Sequence, residues 1–287
     1  MLRIGIIGAE NSHTAAIGKL CNVEKIVDAR VVALWGETPE FAKAAADAAQ
    51  IPTIVSDWRE LLGKVDGVMI DHRHAKYHAE PATFFVNHGI PCFVDKPFTF
   101  TLAEGKRLCA LARRKKAPIT SFSTLVLQKN FQEFRAEVEK IGPLAALTTT
   151  GPVDLKSVYG GVFFYGIHQV DPVIELLGPN PQWVEVKQQG ANGVALIGYK
   201  DGPIVTMNCI SAGCKQFHWM AVGQKELRAW PHKNDDAAYV AGLRLFVNMF
   251  ATGKEPIDHK RFLAPIAVLE AMAKSYKLKQ RVRVAKV

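Results

Sequence analysis

The sequence lacks the features that define several large protein classes. No apolar run approaches the roughly 20 residues that a membrane-spanning helix needs, and the opening MLRIGIIGA predicts a β-strand instead of a signal peptide. The five cysteines include no C-x-x-C pair, which disfavours both a disulfide framework and a metal-binding spacing. Helix-turn-helix, RNP and zinc-finger spacings are missing as well. We therefore expect a cytoplasmic protein with reduced thiols and with neither nucleic acid nor a membrane as partner.

The composition is that of an ordinary globular protein with an excess of positive charge. At 287 residues the chain is long for a single core, which favours two domains. The formal net charge is +9, and part of it lies in runs such as residues 113–116 and the C-terminal tail. Such runs are usually solvated faces, although an anionic substrate or cofactor is also compatible with them.

Strand and helix patterns alternate through the first 120 residues. Short apolar segments predict strands at 2–7, 29–34, 53–55, 67–70, 91–94 and 118–122, with helical segments between most of them. This alternation implies right-handed crossovers and a doubly wound, mostly parallel sheet, which is the α/β Rossmann arrangement. In such sheets ligands bind beyond the carboxyl ends of the strands.

The pattern changes after residue 122. Strands are predicted at 184–189, 194–199, 204–210, 217–222 and 226–230, and turn signals such as Lys200-Asp201-Gly202 separate them. Helices are predicted at 129–141, 237–251 and 263–277. The sequence therefore predicts a Rossmann-like domain over residues 1–122 and an α+β domain of antiparallel hairpins over residues 123–287.

The stretch GIIGAENSH resembles a dinucleotide-binding turn that has lost most of its glycines. That turn has the pattern G-x-G-x-x-G. Gly8 supplies the first glycine, but Glu10 and His13 occupy the second and third positions. The helix that follows still offers backbone N–H groups to an anion, and Asn11 or Ser12 can cap it. We expect an altered cofactor site built from Gly8, Ala9, Glu10, Asn11, Ser12 and His13.

The second predicted strand ends in ALWGETPE, where NAD-binding proteins often place an acidic residue for the ribose hydroxyls. Gly36 occupies the expected position and Glu37 follows it. If Glu37 serves this purpose, it repels a 2′-phosphate, so NAD is favoured over NADP as the cofactor. An acidic residue favoured by the dipole of the next helix is an equally good explanation of Glu37.

Three further segments resemble those of a known family. The segment GIPCFVDKPFTFTLAEGKRL places Asp95, Lys96 and Pro97 at the end of a buried strand. It resembles the E-K-P motif of the Gfo/Idh/MocA (glucose–fructose oxidoreductase-like) oxidoreductases, with Asp in place of Glu. VDGVMIDHRHAKYHAEPA resembles the family's fourth-strand segment, and YGGVFFYGIHQVDPVIELLG resembles its substrate-side helix. The resemblance covers nearly the whole chain, and it implies a Rossmann domain followed by a domain with an open antiparallel sheet.

The resemblance also implies roles for particular residues. Lys96 corresponds to the lysine that contacts the substrate and the nicotinamide ribose, and His168 corresponds to the catalytic histidine. The family's aspartate four residues before that histidine is replaced by Phe164, which removes a carboxylate partner. The other matches to the substrate-side motif are Gly160, Gly161, Gly166 and Asp171.

The chemistry of these side chains supports a catalytic group. A lysine beside an imidazole can polarise a hydroxyl and help to remove its proton as hydride leaves. Tyr165 can add a phenolic donor, although core packing explains this tyrosine at least as well. We predict that Lys96, His168 and Tyr165 are catalytic. These three residues, together with Ser121 and Asp171, are also the predicted substrate contacts.

A histidine-rich loop follows the strand predicted at 67–70. Its histidines, with His13 nearby, suggest a metal site, but no Cys or Glu completes a zinc spacing, so no metal is predicted. Arg73 is suited to bind a carboxylate or phosphate group. The remaining predicted cofactor-binding residues are Asp71, Arg73, His74, His78, Asp95, Lys96 and Pro97.

The sequence as a whole leads to one preferred function and one alternative. The preferred function is that of an NAD(P)-dependent oxidoreductase acting on a sugar, polyol or related hydroxy compound. Family members bury the open sheet in assemblies, so a homodimer or homotetramer is expected. The alternative is a catalytically degenerate member that binds a sugar-like or anionic ligand without redox turnover. The replaced glycines and Phe164 are the reasons to keep it open.

Overall fold

A computed structural model describes residues 1–287 of the chain. The chain folds into two units. The first consists of residues 1–122 and 236–259, and the second of residues 123–235 and 260–287. No helix combines the length and the apolar character that crossing a membrane requires.

The first unit is a parallel sheet flanked by helices. Its strands are β1 (Leu2–Ile7), β2 (Ala29–Trp35), β3 (Gly67–Ile70), β4 (Cys92–Val94) and β5 (Ile119–Thr120). Its helices are α1 (Ser12–Asn22), α2 (Pro39–Ala49), α3 (Ala79–Asn87) and α4 (Leu102–Lys115), with α7 (Ala237–Thr252) added from later in the chain. The sheet order is β2-β1-β3-β4-β5 with every pair parallel, which confirms the predicted fold class.

The strand predicted at 53–55 is reduced to a single bridge at the edge of this sheet. Ile54 pairs in parallel with Leu34 of β2, and two backbone hydrogen bonds of 2.9 and 3.0 Å hold it there. When this bridge is counted as a strand, the order becomes 3-2-1-4-5-6, which is the order of dinucleotide-binding sheets. The connection then reverses direction between β1 and β3, so a ligand crevice is expected at the carboxyl ends of those two strands.

The helix α7 belongs to the first unit, whereas the sequence predicts that residues 123–287 form the second domain together. Aromatic packing explains the difference. The ring of Phe246 stacks on Phe93 of β4, with centroids 4.6 Å apart and an angle of 12° between the planes. Phe250 lies against Gly67 of β3, where an added Cβ would come within 2.4 Å of its ring. These contacts bury α7 on the parallel sheet.

The second unit is a seven-stranded sheet with helices on one face. Its strands are β6 (Leu144–Pro152), β7 (Pro181–Gln189), β8 (Asn192–Tyr199), β9 (Ile204–Ile210), β10 (His218–Gly223), β11 (Leu227–Pro231) and β12 (Val282–Arg283). Its helices are α5 (Lys129–Val138), α6 (Val162–Leu177) and α8 (His259–Leu278). The order is β11-β10-β6-β9-β8-β7-β12, and only β6 and β9 run parallel. The sheet is therefore mostly antiparallel, as expected.

The two faces of the second sheet differ in burial. Residues such as Val205 and Met207 of β9 are buried on the face that carries α6. On the opposite face, Leu196, Thr206, Thr148 and Met220 form one row across four neighbouring strands, and all four are only partly buried. This alternation gives the sheet one broad face that the helices of its own unit do not cover.

Candidate functional site

The turn after β1 keeps the geometry of a dinucleotide-binding turn at its first glycine. Gly8 has a φ of +111°, a conformation that L side chains rarely adopt. A Cβ atom at this position would lie 2.7 Å from the carbonyl carbon of Asp71, which follows β3. The Gly8 N–H donates to the Trp35 carbonyl at 2.9 Å. Glycine is therefore required where the turn crosses the ends of β2 and β3.

Glu37 binds this turn directly. Its Oε2 atom accepts hydrogen bonds from the backbone N–H groups of Ala9 at 2.7 Å and Glu10 at 3.0 Å. Its Oε1 atom is buried and has no hydrogen-bond partner. Buried polar atoms are normally paired, so Oε1 is an acceptor suited to a donor group brought by a ligand, such as a ribose hydroxyl.

Glu10, at the second glycine position, is directed towards Arg73. The Glu10 Oε1 and Arg73 Nη1 atoms lie 3.6 Å apart, so the guanidinium offsets the charge of this carboxylate. The helix α1 begins after Asn11 without a side-chain cap. Its first-turn N–H groups therefore present the partial positive charge of a helix N-terminus to an anion.

His13 lies at the third glycine position, and its imidazole contacts the carboxylates that follow β3 and β4. The Nδ1 atom lies 3.2 Å from Asp95 Oδ1 and 3.6 Å from Asp71 Oδ1. The Asn11 amide nitrogen donates to Asp71 at 2.9 Å and to Asp95 at 3.1 Å. Thr14 Oγ1 lies 2.7 Å from the other oxygen of Asp71. We call His13, Asp71 and Asp95 the His–Asp cluster.

The charges of the His–Asp cluster depend on one another. Burial disfavours the imidazolium of His13, but the charge of Asp95 and hydrogen bonds with both carboxylates outweigh burial and raise its pKa to about 9. Burial raises the pKa of Asp71 to about 6. Burial opposes ionisation of Asp95 as well, but Lys96 and His13 outweigh it and hold its pKa well below the usual range. Near neutral pH the cluster is therefore a protonated imidazole between two buried carboxylates.

Lys96 and Pro97 follow Asp95 directly. Lys96 Nζ lies 3.3 Å from Asp95 Oδ2, and the lysine side chain is 15% exposed, so it is held by the cluster yet accessible. The buried ring of His78 connects the two neighbouring loops, with Nδ1 2.9 Å from the Pro97 carbonyl and Nε2 2.8 Å from the His72 carbonyl. Burial lowers the pKa of His78. His78 therefore fixes the backbone beside Lys96.

The other predicted residues of the histidine-rich loop serve local structure. His74 Nδ1 accepts from the Lys76 N–H at 3.2 Å, and the His74 ring packs edge-on against Phe100. The ring of His72 is buried, and burial lowers its pKa to about 3. His72 Nδ1 is buried without a partner, a second orphaned polar atom in the first unit.

The His–Asp cluster has the dimensions of a cation site. One ligand atom from each of its three residues lies within 4.8 Å of the others. A divalent cation could be held there by the imidazole and the two carboxylates. In the protein itself, the positive charges of His13 and Lys96 already face these carboxylates, at 3.2 and 3.3 Å from Asp95.

In the second unit, His168 lies on α6 and contacts Ser123. His168 Nδ1 and Ser123 Oγ are 3.0 Å apart. The same Oγ accepts from the Leu125 N–H at 3.2 Å, and its second lone pair can accept from Nδ1–H, which leaves Nε2 of a neutral imidazole able to take up a proton. Tyr165 is 38% exposed, and its ring centroid lies 5.5 Å from that of His168. The two predicted catalytic side chains of this unit are therefore neighbours.

Phe164 and Asp171 of α6 both contact other side chains of the second unit. The Phe164 ring packs between Tyr159 and Tyr165, with centroids 4.7 and 4.8 Å away. Asp171 is almost fully buried and forms an ion pair with Arg261, with Oδ1 2.5 Å from Nη1. Arg261 also binds Glu175 at 2.8 Å. The predicted contact of Asp171 with substrate stays a prediction.

Glycine and proline set the path of α6 around His168. Gly161 precedes the helix with a φ of +61°, and a Cβ there would lie 2.9 Å from the Leu155 carbonyl oxygen. Pro172 lies inside the helix. It lacks the N–H that would otherwise donate to the His168 carbonyl four residues earlier. The helix is therefore weakened at the residue that carries the imidazole.

Several residues of these sites were not found from the sequence. Tyr239 of α7 packs edge-on against His13, with ring centroids 5.6 Å apart. Arg261 lies 90 residues after its partner Asp171. Ser121, a predicted substrate contact, is buried after β5, and Ser123, two residues later, contacts His168. No local pattern marks such pairs, because each depends on how distant segments fold together.

Comparisons with known proteins show what the sequence and the fold of this chain are similar to. Residues 2–122 match the model of the oxidoreductase family with an NAD-binding Rossmann fold, GFO_IDH_MocA. The uncharacterized oxidoreductase YhhX of Escherichia coli is 28% identical over 165 residues, covering 50% of this chain and 46% of its own. The scyllo-inositol 2-dehydrogenase (NADP(+)) IolU of Bacillus subtilis is 24% identical over 152 residues, covering 52% and 45%. The matches thus span less than half of the length of these two relatives.

Solved structures resemble the fold over its full length. The myo-inositol dehydrogenase of Lactobacillus casei, in complex with NAD(H) and myo-inositol, has a TM-score of 0.84 at 16% identity and covers 100% of this chain and 98% of its own. At this identity the likeness concerns the fold alone. Residues 2–122 therefore resemble the Gfo/Idh/MocA oxidoreductases in sequence, and the whole chain shares the fold of the Lactobacillus casei enzyme.

Proposed function

We propose that the protein is an NAD-dependent oxidoreductase that oxidises a hydroxyl group of a sugar, a polyol or a related compound. The observation that carries this proposal is the position of Lys96. Its ammonium group is partly exposed at the carboxyl end of β4, 3.3 Å from a buried carboxylate. In a sheet of this order, that end is where the ligand crevice lies.

The residues of the turn fit a dinucleotide. Gly8 gives the close backbone crossing that no side chain would permit. The uncapped N-terminus of α1 suits an anionic diphosphate. The orphaned Oε1 atom of Glu37 suits a ribose hydroxyl, and the same carboxylate would repel a 2′-phosphate. These features support NAD as the preferred cofactor, with NADP as the weaker one.

The protein's own side chains bind the substrate hydroxyl and transfer its proton. When bound, the nicotinamide supplies the acceptor for the hydride that leaves the substrate carbon. Lys96 polarises the reacting hydroxyl through its positive charge, and Asp95 holds the lysine in place. His168 acts as acid or base through Nε2, because Ser123 binds its Nδ1. Tyr165 adds a phenolic donor beside that imidazole.

The substrate class rests on the relatives. IolU is a scyllo-inositol 2-dehydrogenase, and the Lactobacillus casei structure holds myo-inositol. We propose that the present chain acts on compounds of the same class, which are cyclic polyols and sugars. Substrate contacts are proposed for Lys96, Tyr165, His168, Ser121 and Asp171.

The assembly and the cellular location complete the proposal. The half-exposed face of the second sheet offers a broad surface, with Leu196 and Met220 among its apolar members. Such faces usually mark interfaces, which supports a homodimer or homotetramer. A cytoplasmic location is proposed because the scattered cysteines are free.

The test is an activity screen with matched variants. NAD⁺ reduction is followed at 340 nm with myo-inositol, scyllo-inositol and a panel of sugars. Lys96→Ala and His168→Gln are compared with Lys64→Ala and His88→Gln, which change exposed residues of the same types. We expect turnover to fall by about 10²-fold or more in the first pair and to persist in the second. Full turnover in Lys96→Ala contradicts the proposal.

A further inference from the structure

Aromatic side chains surround His168 in the second unit. The ring centroid of Tyr165 lies 5.5 Å from that of the imidazole, with 60° between the planes, and that of Phe217 lies 5.8 Å away with 68°. Phe164, one helical turn before His168 on α6, packs edge-on against Tyr165 with centroids 4.8 Å apart. We call Phe164, Tyr165 and Phe217 the aromatic platform. Its rings are inclined to the imidazole instead of being stacked on it.

The aromatic platform is not part of the hydrophobic core. Tyr165 is 38% exposed, and Phe164, Phe217 and His168 are partly exposed. By contrast, Phe163 on the same helix is buried. Ligand sites are typically lined by aromatic side chains around a small number of polar groups. Partly exposed rings around one imidazole have this composition.

Phe217 is held in place by its neighbours. Its ring lies against Gly151 of β6, where an added Cβ would clash with the ring. Its carbonyl accepts a hydrogen bond from the His232 N–H at 2.8 Å. A glycine inside a strand often marks a place where another group approaches closely, and here that group is the ring of Phe217. Because the ring is fixed before binding, it loses little conformational freedom when a ligand packs on it.

We propose that the aromatic platform selects substrates by their ring faces, so that the enzyme prefers cyclic polyols and sugars whose ring face presents only C–H groups. This inference rests on the proposed function, because it concerns the substrate of the same site. It narrows the substrate class from hydroxy compounds in general to rings whose hydroxyls are equatorial.

The chemistry of aromatic rings gives this preference. A C–H group beside an oxygen atom carries a partial positive charge, and the face of an aromatic ring is negative, so the two attract each other. In a ring with equatorial hydroxyls, the axial positions hold C–H groups, which together form an apolar face. An axial hydroxyl that points at an aromatic ring would lose its hydrogen bonds with water and gain none. The equatorial hydroxyls lie at the rim of the same ring, where a polar group such as the imidazole of His168 can reach them.

The first experiment measures NAD⁺ reduction with three inositols that differ in their axial hydroxyls. In scyllo-inositol every hydroxyl is equatorial, myo-inositol keeps one uninterrupted face, and chiro-inositol has an axial hydroxyl on each face. We expect kcat/KM to fall in that order, with chiro-inositol about tenfold below scyllo-inositol. Glucose and galactose, which adds an axial hydroxyl, extend the comparison to sugars, and glucose is expected to be the better substrate.

Matched variants connect this preference to the rings. Phe217→Leu and Phe164→Leu each remove a ring but keep an apolar side chain. Each should raise KM for scyllo-inositol about fivefold with a smaller change in kcat, because a stacking contact is made both before and during the reaction. Each should also narrow the difference between scyllo-inositol and chiro-inositol. Phe217→Tyr keeps the ring and should restore the preference of the wild type. Phe84→Leu is the control, because it changes a partly exposed ring of α3 in the first unit.

The second experiment does not depend on turnover. NADH replaces NAD⁺, so that no hydride can be accepted, and the aromatic protons of the protein are saturated by NMR in the presence of scyllo-inositol or chiro-inositol. Transfer of saturation to the C–H protons of the ligand reports contact with aromatic rings. We expect strong transfer to scyllo-inositol in the wild type and in Phe84→Leu, and weaker transfer to chiro-inositol or in either leucine variant of the platform. Melting temperatures confirm that each variant is folded.

The outcomes separate this inference from the proposed function. If the polyols turn over but show no dependence on axial hydroxyls, or if both platform variants keep the KM of the wild type, the inference fails and the proposed function stands. Equal transfer of saturation in the wild type and in both variants would also overturn the inference, because the ligand then lies elsewhere. Transfer that follows the expected pattern without any turnover supports the platform as a ligand site and refutes the redox function. Absence of both turnover and transfer refutes both.

Discussion

The raised pKa of His13 predicts that the stability of the first unit falls as the pH rises. The folded-state pKa is about 9, against an ordinary value of 6.5, so the folded protein holds this proton more tightly than the unfolded chain does. The stabilising contribution is fully present below pH 6.5 and is lost between pH 6.5 and about 9. A difference of about 2.5 units at 1.36 kcal/mol per unit corresponds to about 3 kcal/mol.

Neither partner obscures this window. The pKa of Asp71 is about 6 and that of Asp95 is well below its usual range, so both carboxylates stay ionised as His13 loses its proton. When His13 loses its proton, the carboxylates of Asp71 and Asp95 remain as two buried negative charges close to each other. The loss of stability therefore belongs to the imidazole.

The assay is urea denaturation of the ligand-free protein at pH 6.5, 8 and 9.5, followed by circular dichroism. The free energy of unfolding of the wild type should fall by about 3 kcal/mol across this range. In His13→Gln, which is less stable at pH 6.5, the curve should be nearly flat. Parallel curves for the two proteins would refute the charge assignment of the His–Asp cluster.

Two further predictions concern the backbone and the second unit. Gly8→Ala should destabilise the protein by about 3 kcal/mol and abolish NADH binding. The reason is that the added Cβ would sit at a positive φ and 2.7 Å from the Asp71 backbone. A melting curve and an NADH titration that both match the wild type would contradict this. Arg261→Met should cost about 3 kcal/mol in urea denaturation by leaving the buried Asp171 carboxylate unpaired. The double variant Arg261→Met/Asp171→Asn should recover part of that loss, and no recovery would show that the ion pair is not the cause.

The parallel and antiparallel sheets could be predicted because hydrophobic periodicity is a local property. Each predicted strand of the second unit overlaps an observed one, and α1 begins at Ser12 as expected. The extent of the strand around Ile54 is harder to predict, because the composition of this segment suits a strand but only Ile54 pairs with β2. The unit to which α7 belongs depends on where Phe246 and Phe250 pack, and no local pattern records that.

The candidate site could be predicted in position but not in chemistry. Topology alone brings the residues after β1, β3 and β4 to one edge of the sheet, which is why Asp71, Asp95 and His13 could be named from the sequence. Their direct pairing could not be predicted, because it depends on side-chain directions across three segments. The ion pair between Asp171 and Arg261 joins α6 to α8 for the same reason.

Binding of the cofactor tests the central claim most directly. The purified protein is titrated by calorimetry with NADH and with NADPH at neutral pH, after its absorbance has been checked for carried-over cofactor. The account predicts micromolar affinity for NADH and weaker binding of NADPH. Glu37→Ser removes the carboxylate that contacts the turn, so the affinities for the two nucleotides should become more similar. No binding of either nucleotide at millimolar concentration would contradict the account and leave a Rossmann fold without a working dinucleotide site.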